Sequence, residues 1–214
     1  MRYIPALLMN RPSILPKGQA GHLLDLWRIV TGTFHVPHSW TKYRQIVSLG
    51  RATGGDVFFE VGTFLGVTTK RCAKKFRKVW TVELDPKLCA EARRYLASSF
   101  NVTVIEGDGL KEVEKFLAET GERNVIVFLD GHFSGGATAK GDLVEPALEE
   151  IAILARHRDK IAGFIVDDFR ELGTQPGWPT KWELIKSVET LFGQHGFRVA
   201  VHLDQVVVRR MRNA

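Results

Sequence analysis

Acidic residues recur in this sequence at one kind of place, the end of a short apolar run. Glu60 closes VFFE, Glu83 closes VWTVE, and Asp108 follows VTVIEG. Asp130 follows VIVFL, and Asp167 with Asp168 follows GFIV. Such runs, bounded by turn residues, read as buried strands. In an open parallel sheet, ligands bind outside the carboxyl ends of the strands, so a rim of acids there is a binding rim. After the first run come Gly62 and Gly66, and then a helical pattern. A strand that turns through glycines into a helix gathers backbone N–H groups and a helix N-terminus at one point. Glu60 beside that turn would repel a pyrophosphate and would favour a ligand that carries an ammonium group.

The elements that must hold these acids follow from the pattern. Strands are expected at 57–61, 79–83, 102–106, 124–130 and 161–167, with helices near 66–77, 86–98, 110–119, 142–157 and 179–193. Asp85-Pro86 is a clean helix start, with proline at the first helical position. Regular alternation predicts an α/β fold: a doubly wound, mostly parallel, seven-stranded Rossmann-like sheet with helices on both faces. FRVAV and QVVVRR lie too close together for parallel neighbours, so the sheet should end in an antiparallel hairpin.

Residues 1–56 differ in composition from the rest. Asp25 and Asp56 are their only acids, against Arg2, Arg11, Lys17, Arg28, Lys42, Arg44 and Arg51. His22–Val30 and Thr41–Leu49 read as short amphipathic helices. The expected division is a helical arm or cap over 1–56 and a ligand-binding domain over 57–214. The arm's basic and apolar surface is the feature that would meet an anionic membrane or close over a substrate.

The bulk numbers set bounds. A chain of 214 residues, 44% hydrophobic and 25% charged, suits one globular α/β domain with a short appendage. A net charge of +6 permits an anionic partner without demanding one. Cys72 and Cys89 lack metal or redox spacing and read as reduced packing residues. No apolar run approaches the roughly 18–20 residues that span a bilayer, and the start MRYIPALLMNRP is too weakly apolar for a signal peptide, so a cytoplasmic location is expected.

Glu83 after the second strand could accept both hydroxyls of an adenosine ribose, and Asp108 would sit near the adenine amino group. Together with Glu60, Gly62 and Gly66 they favour S-adenosylmethionine (SAM), which carries both an amino group and a sulfonium. EVGTFLGVTT resembles the first motif of the catechol O-methyltransferase-like branch of the class I SAM-dependent methyltransferases, with Thr68 in the place of that motif's hydroxyl residue. The likeness covers roughly residues 57–210. It implies a donor site made by Glu60, Gly62, Thr63, Phe64, Gly66, Thr68, Glu83, Leu84, Gly107, Asp108, Gly109 and Asp130.

The same resemblance extends to Asp130, Asp167 and Asp168. Three carboxylates brought together would repel one another, and Mg²⁺ would relieve the conflict. In the metal-dependent branch, which methylates catechols and the sugars of macrolides and aminocoumarins, such a metal binds adjacent substrate hydroxyls and lowers the pKa of one. That branch places a lysine a few residues beyond the aspartate of the fourth strand. Here the stretch reads Asp130-Gly131-His132-Phe133-Ser134, so His132, with Lys140 second, is the expected base. The loop Gly131–Gly141 would cover the substrate, and Trp178 could wall its pocket. The expected activity is metal-assisted O-methylation of a hydroxyl on a small molecule or sugar, by a chain that could form homo-oligomers.

Two rival readings accompany it. The basic run Lys70, Arg71, Lys74, Lys75, Arg77 and Lys78 keeps an RNA methyltransferase in play. Against a nucleic-acid partner, the fourth strand does not end in the Asn/Asp-Pro-Pro-Tyr/Phe motif of amino-directed base methylation. The other rival is a non-catalytic SAM-binding module.

Overall fold

A computed structural model describes residues 23, 26–28, 30–32, 39–130 and 146–211. Its order is α1 (Ser39–Thr53), β1 (Val57–Val61), α2 (Val67–Cys72), β2 (Lys78–Glu83), α3 (Pro86–Leu96), β3 (Val102–Glu106), α4 (Gly109–Glu119) and β4 (Val125–Leu129). Then follow α5 (Ala147–Arg156), β5 (Ile161–Val166), α6 (Lys181–Phe192), β6 (Phe197–His202) and β7 (Gln205–Arg210). The seven strands form one sheet in the order β3-β2-β1-β4-β5-β7-β6. Neighbours from β3 to β5 run parallel, while β7 is antiparallel to both β5 and β6. The sheet and the closing hairpin are as the pattern predicted.

Residues of β1, β4 and β5 are buried throughout, because helices cover both faces of the sheet. On one face Val57, Phe59, Val127 and Phe164 meet Val113 and Leu117 of α4, Ile151 and Leu154 of α5, and Leu184 and Val188 of α6. On the other, Phe58, Ile126, Phe128 and Ile165 meet Ile46, Val47 and Leu49 of α1, with Cys72 and Phe76. Helix α1 therefore shares its core with the central strands. Helix α3 adds Ala92, Tyr95 and Leu96 against Leu65 and Val67.

Helix α2 stops at Cys72, where the pattern predicted 77. Asn101 donates its side-chain N–H groups to the carbonyls of Ala73 and Phe76, which turns the chain. Phe76 then stacks on Phe58 with ring centroids 5.2 Å apart. The β6–β7 connection is a two-residue turn: His202 pairs with Gln205 across Leu203 (φ 48°) and Asp204 (φ 64°). Two residues of positive φ make the turn whose twist matches the strands. Both cysteines are buried and free. No described helix is long and apolar enough to cross a membrane.

Candidate functional site

Strand order brings the carboxyl ends of β3, β2, β1, β4 and β5 to one rim, and the order reverses between β1 and β4. From Val61 the chain turns through Gly62 (φ 91°), Phe64 (φ 45°) and Gly66 (φ 66°) into α2. The backbone N–H groups of Gly62 and Thr63 both donate to the carbonyl of Val82. Glu83 holds the turn from the next strand: Phe64 N–H donates to one carboxylate oxygen at 2.8 Å and Asp85 N–H to the other at 3.0 Å. Burial pushes the Glu83 carboxyl up, and these two N–H groups oppose it. A side chain at Gly66 would crowd Tyr95 and Leu96.

Glu60 is buried on the α1–α2 side of β1. Its carboxylate accepts from Thr69 Oγ1 at 2.5 Å and Thr81 Oγ1 at 2.8 Å, and Thr81 also contacts Thr63 Oγ1 at 2.7 Å. Thr69 thus supplies the hydroxyl to Glu60, while Thr68 stands half-buried beside it on α2. Burial raises the Glu60 pKa to about 7, against the opposing pull of the two hydroxyls and of Lys42.

The third segment is Gly107–Gly109. Gly107 N–H donates to the Glu83 carbonyl at 3.0 Å, next to half-buried Leu84. Asp108 caps α4 by accepting from the N–H groups of Leu110 and Lys111. At Gly109 a Cβ would lie 2.3 Å from Val61 Cγ1, so glycine is what lets α4 start against β1. Gly62–Gly66, Glu83–Leu84 and Gly107–Gly109 consequently line adjacent strand ends.

Asp130 and Asp167 extend the rim by strand-like steps, their N–H groups donating to the Val61 and Leu129 carbonyls. Ligand oxygens of Asp130, Asp167 and Asp168 lie within 4.8 Å of one another. Lys42, on the first turn of α1, enters this cluster. Its Nζ is 2.8 Å from Asp130 and 2.5 Å from Asp167, whose side chain is fully buried. Gln205 Nε2 donates to Asp167 at 2.7 Å. Asp168 (φ 51°) turns aside to Arg170, 2.9 Å away, which also pairs with Asp204.

These contacts divide the charge. Burial opposes the Lys42 ammonium, yet Asp130 and Asp167 hold its pKa well above the usual lysine value. Burial likewise works against ionised Asp167, but Lys42 and Gln205 outweigh it and its pKa falls. Asp130 rises, because burial and the charges of Asp167 and Asp168 exceed the help it gets from Lys42. Two carboxylates sharing one ammonium titrate apart, Asp167 below the usual carboxylate range and Asp130 above it.

Lys42 carries no motif in the sequence, where it counts only as one base of the arm. The available signal was its place in the first turn of a helix, where the macrodipole disfavours a cation. His132, Lys140 and the loop Gly131–Gly141 lie outside the described residues. Trp178 is half-buried after β5. Within the basic run, Arg77 and Lys78 pair with Glu122, and Lys70 reaches the Tyr95 carbonyl. Lys74 and Lys75 are exposed. A surface cavity of about 700 Å³ is lined by Glu189, Phe197, Arg198 and Met211 at the edge strand's far end, away from the rim. The rim is the better candidate site, because there loops and acids of five strands converge.

Sheet order and rim together define the class I SAM-dependent methyltransferase fold. An O-methyltransferase from Bacillus cereus solved with SAH matches with TM-score 0.61 and 17% identity, over 98% of this chain and 96% of that one. An SAH-bound Podospora anserina methyltransferase matches with TM-score 0.60 and 15% identity, over 95% of this chain and 89% of that one. At such identities the fold is what is shared. Residues 38–128 match the family model of ribosomal RNA adenine dimethylase. The ribosomal RNA small subunit methyltransferase A of Syntrophus aciditrophicus is 37% identical over 82 residues, 38% of this chain and 29% of that protein. The "Probable ribosomal RNA small subunit methyltransferase A" of Thermococcus onnurineus is 42% identical over 65 residues, 30% of this chain and 24% of that protein. The chain thus spans about a quarter to a third of these relatives' length.

These sequence relatives overturn two expectations, small-molecule or sugar O-methylation and the reading against a nucleic-acid partner, and favour the rival RNA methyltransferase. The physical reason is that EVGTFLGVTT, the stretch that carried the resemblance, is a strand-turn-helix segment and holds no information about an acceptor. The expected Mg²⁺ does not fit either, since the Lys42 ammonium already stands between the carboxylates that would hold it.

Proposed function

We propose that this chain transfers the methyl group of SAM to RNA, at the exocyclic amino group of an adenine. The observation that carries this reading is the match of residues 38–128, from the start of α1 to the end of β4, to the ribosomal RNA adenine dimethylase model. Sequence at the β4 exit supports it. Asp130-Gly131-His132-Phe133 keeps an acid first and an aromatic residue fourth, as Asn/Asp-Pro-Pro-Tyr/Phe does, with Gly-His in place of Pro-Pro.

The chemistry suits those two positions. The lone pair of an adenine amino group is delocalised into the ring, so the group is a weak nucleophile. A carboxylate that accepts one of its N–H bonds returns electron density to nitrogen and aims it. An aromatic side chain can stack on a base drawn out of its strand. Nitrogen then attacks the methyl carbon as the C–S bond breaks, the sulfonium becomes a neutral thioether, and nitrogen loses one proton. In this reading Glu60 faces the donor's ammonium group across the turn, Glu83 takes the ribose hydroxyls, and Asp130 takes the acceptor amine. Exposed Lys74 and Lys75 and the net charge of +6 suit a phosphate backbone.

The test offers the protein isotopically labelled SAM with small-subunit ribosomal RNA transcripts and, separately, with catechols and sugars. Digestion of the RNA to nucleosides and mass spectrometry should find label on adenine. Asp130→Ala should lower the rate by about 10²-fold or more while SAM still binds. Label on small molecules alone, or SAM binding without transfer to RNA, would overturn the proposal.

A further inference from the structure

We propose that Lys42 is a resident cation that takes the position of a metal ion in the acid rim and makes the rim independent of divalent cations. Its Nζ lies within hydrogen-bond distance of both Asp130 and Asp167, the two acids that directly follow β4 and β5. Mg²⁺ requires near-octahedral oxygens at about 2.0–2.1 Å. An ion drawing on the same two carboxylates would sit beside the ammonium, where two positive charges repel strongly. Ammonium and ion are alternatives at this point.

The local helix does not explain the lysine. A cation in the first turn of α1 faces the positive end of the helix dipole, which disfavours it. The carboxylates give it a reason to be there. The element that delivers it is held in place, with Ile46 and Leu49 packed against Phe58, Ile126 and Ile165. Arg71 of α2 donates to Ser39 and lies over the Trp40 ring, tying down the start of the same helix. Asp168 follows the same rule, since Arg170 covers it together with Asp204. Lys42 is thereby a positioning residue, which fixes the Asp130 carboxylate toward the acceptor side of the rim.

The experiment titrates Mn²⁺ into the ligand-free full chain and follows the free ion by electron paramagnetic resonance. The wild type should bind no Mn²⁺ at this cluster at millimolar concentration, and neither should Lys42→Arg. Lys42→Met should gain one site per chain, which a further Asp167→Asn change abolishes. Stoichiometric Mn²⁺ binding by the wild type that Asp167→Asn removes would overturn the proposal. So would a Lys42→Met chain that keeps its native circular dichroism yet takes up no ion. Should Lys42→Met fail to fold, the wild-type titration decides alone. These readouts need neither RNA nor methyl transfer, so their outcome is separate from that of the acceptor assignment.

Discussion

Glu60 is the residue in which structure and chemistry are most closely linked. Its pKa of about 7, against an ordinary 4.5, means that the folded protein prefers it protonated. The group therefore contributes stability that is fully present below about pH 4.5 and is lost as pH rises through 7. With the ligand-free protein, urea unfolding across that window should show a pH-dependent loss of about 3 kcal/mol that is absent from Glu60→Gln. An unchanged slope in the variant would assign the titration to another group. The same carboxylate, if it faces the donor's ammonium, should bind SAM more tightly as pH rises through 7, and calorimetry on Glu60→Gln should show that dependence lost. Glu60 was legible in the sequence as an acid at a strand end. Its hydroxyl partners Thr69 and Thr81 were not, because one lies on α2 and the other on β2.

At the scale of elements, the site depends on how closely helices start against strand ends. Gly109 is the clearest case, since a methyl group there would overlap Val61 Cγ1. Gly109→Ala should cost about 1–3 kcal/mol in chemical denaturation and weaken SAM binding, because α4 must shift together with the Gly107–Gly109 segment. Val61→Ala in the same chain should recover part of both, and additive losses would show that the clash is not the cause. By contrast, Thr180 forms a capping box with Glu183 at the start of α6, which follows β5 rather than β1, β2 or β3. Thr180→Ala should lower stability by about 1 kcal/mol and leave SAM affinity unchanged. Elements were the most legible level. Buried parallel strands announce themselves by continuous apolar runs, and helix starts by residues such as Asp85-Pro86. The end of α2 was misjudged because the residue that turns it, Asn101, lies 25 positions or more along the chain from the carbonyls it caps.

At the scale of the whole molecule, the charge of +6 is spread unevenly between paired and free side chains. Arg77 and Lys78 are engaged with Glu122, whereas Lys74 and Lys75 project from the end of α2. Binding to ribosomal RNA, measured by fluorescence anisotropy, should weaken steeply with salt, its logarithm falling linearly with the logarithm of salt concentration. Lys74→Glu with Lys75→Glu should weaken it about tenfold and flatten that slope, with SAM affinity unaltered. A binding constant that ignores salt would count against RNA as the acceptor.

The sequence by itself determined the sheet, its hairpin end, and the acids and glycines at the strand ends, because periodicity and strand ends are local properties of a chain. It could not determine what the acids of β4 and β5 face. The same three aspartates suit a metal ion or an ammonium group, and the choice depends on a side chain at least 88 positions away. Only the packing of α1 on the sheet brings Lys42 among them. Long-range charge pairing of that kind leaves no pattern along the chain.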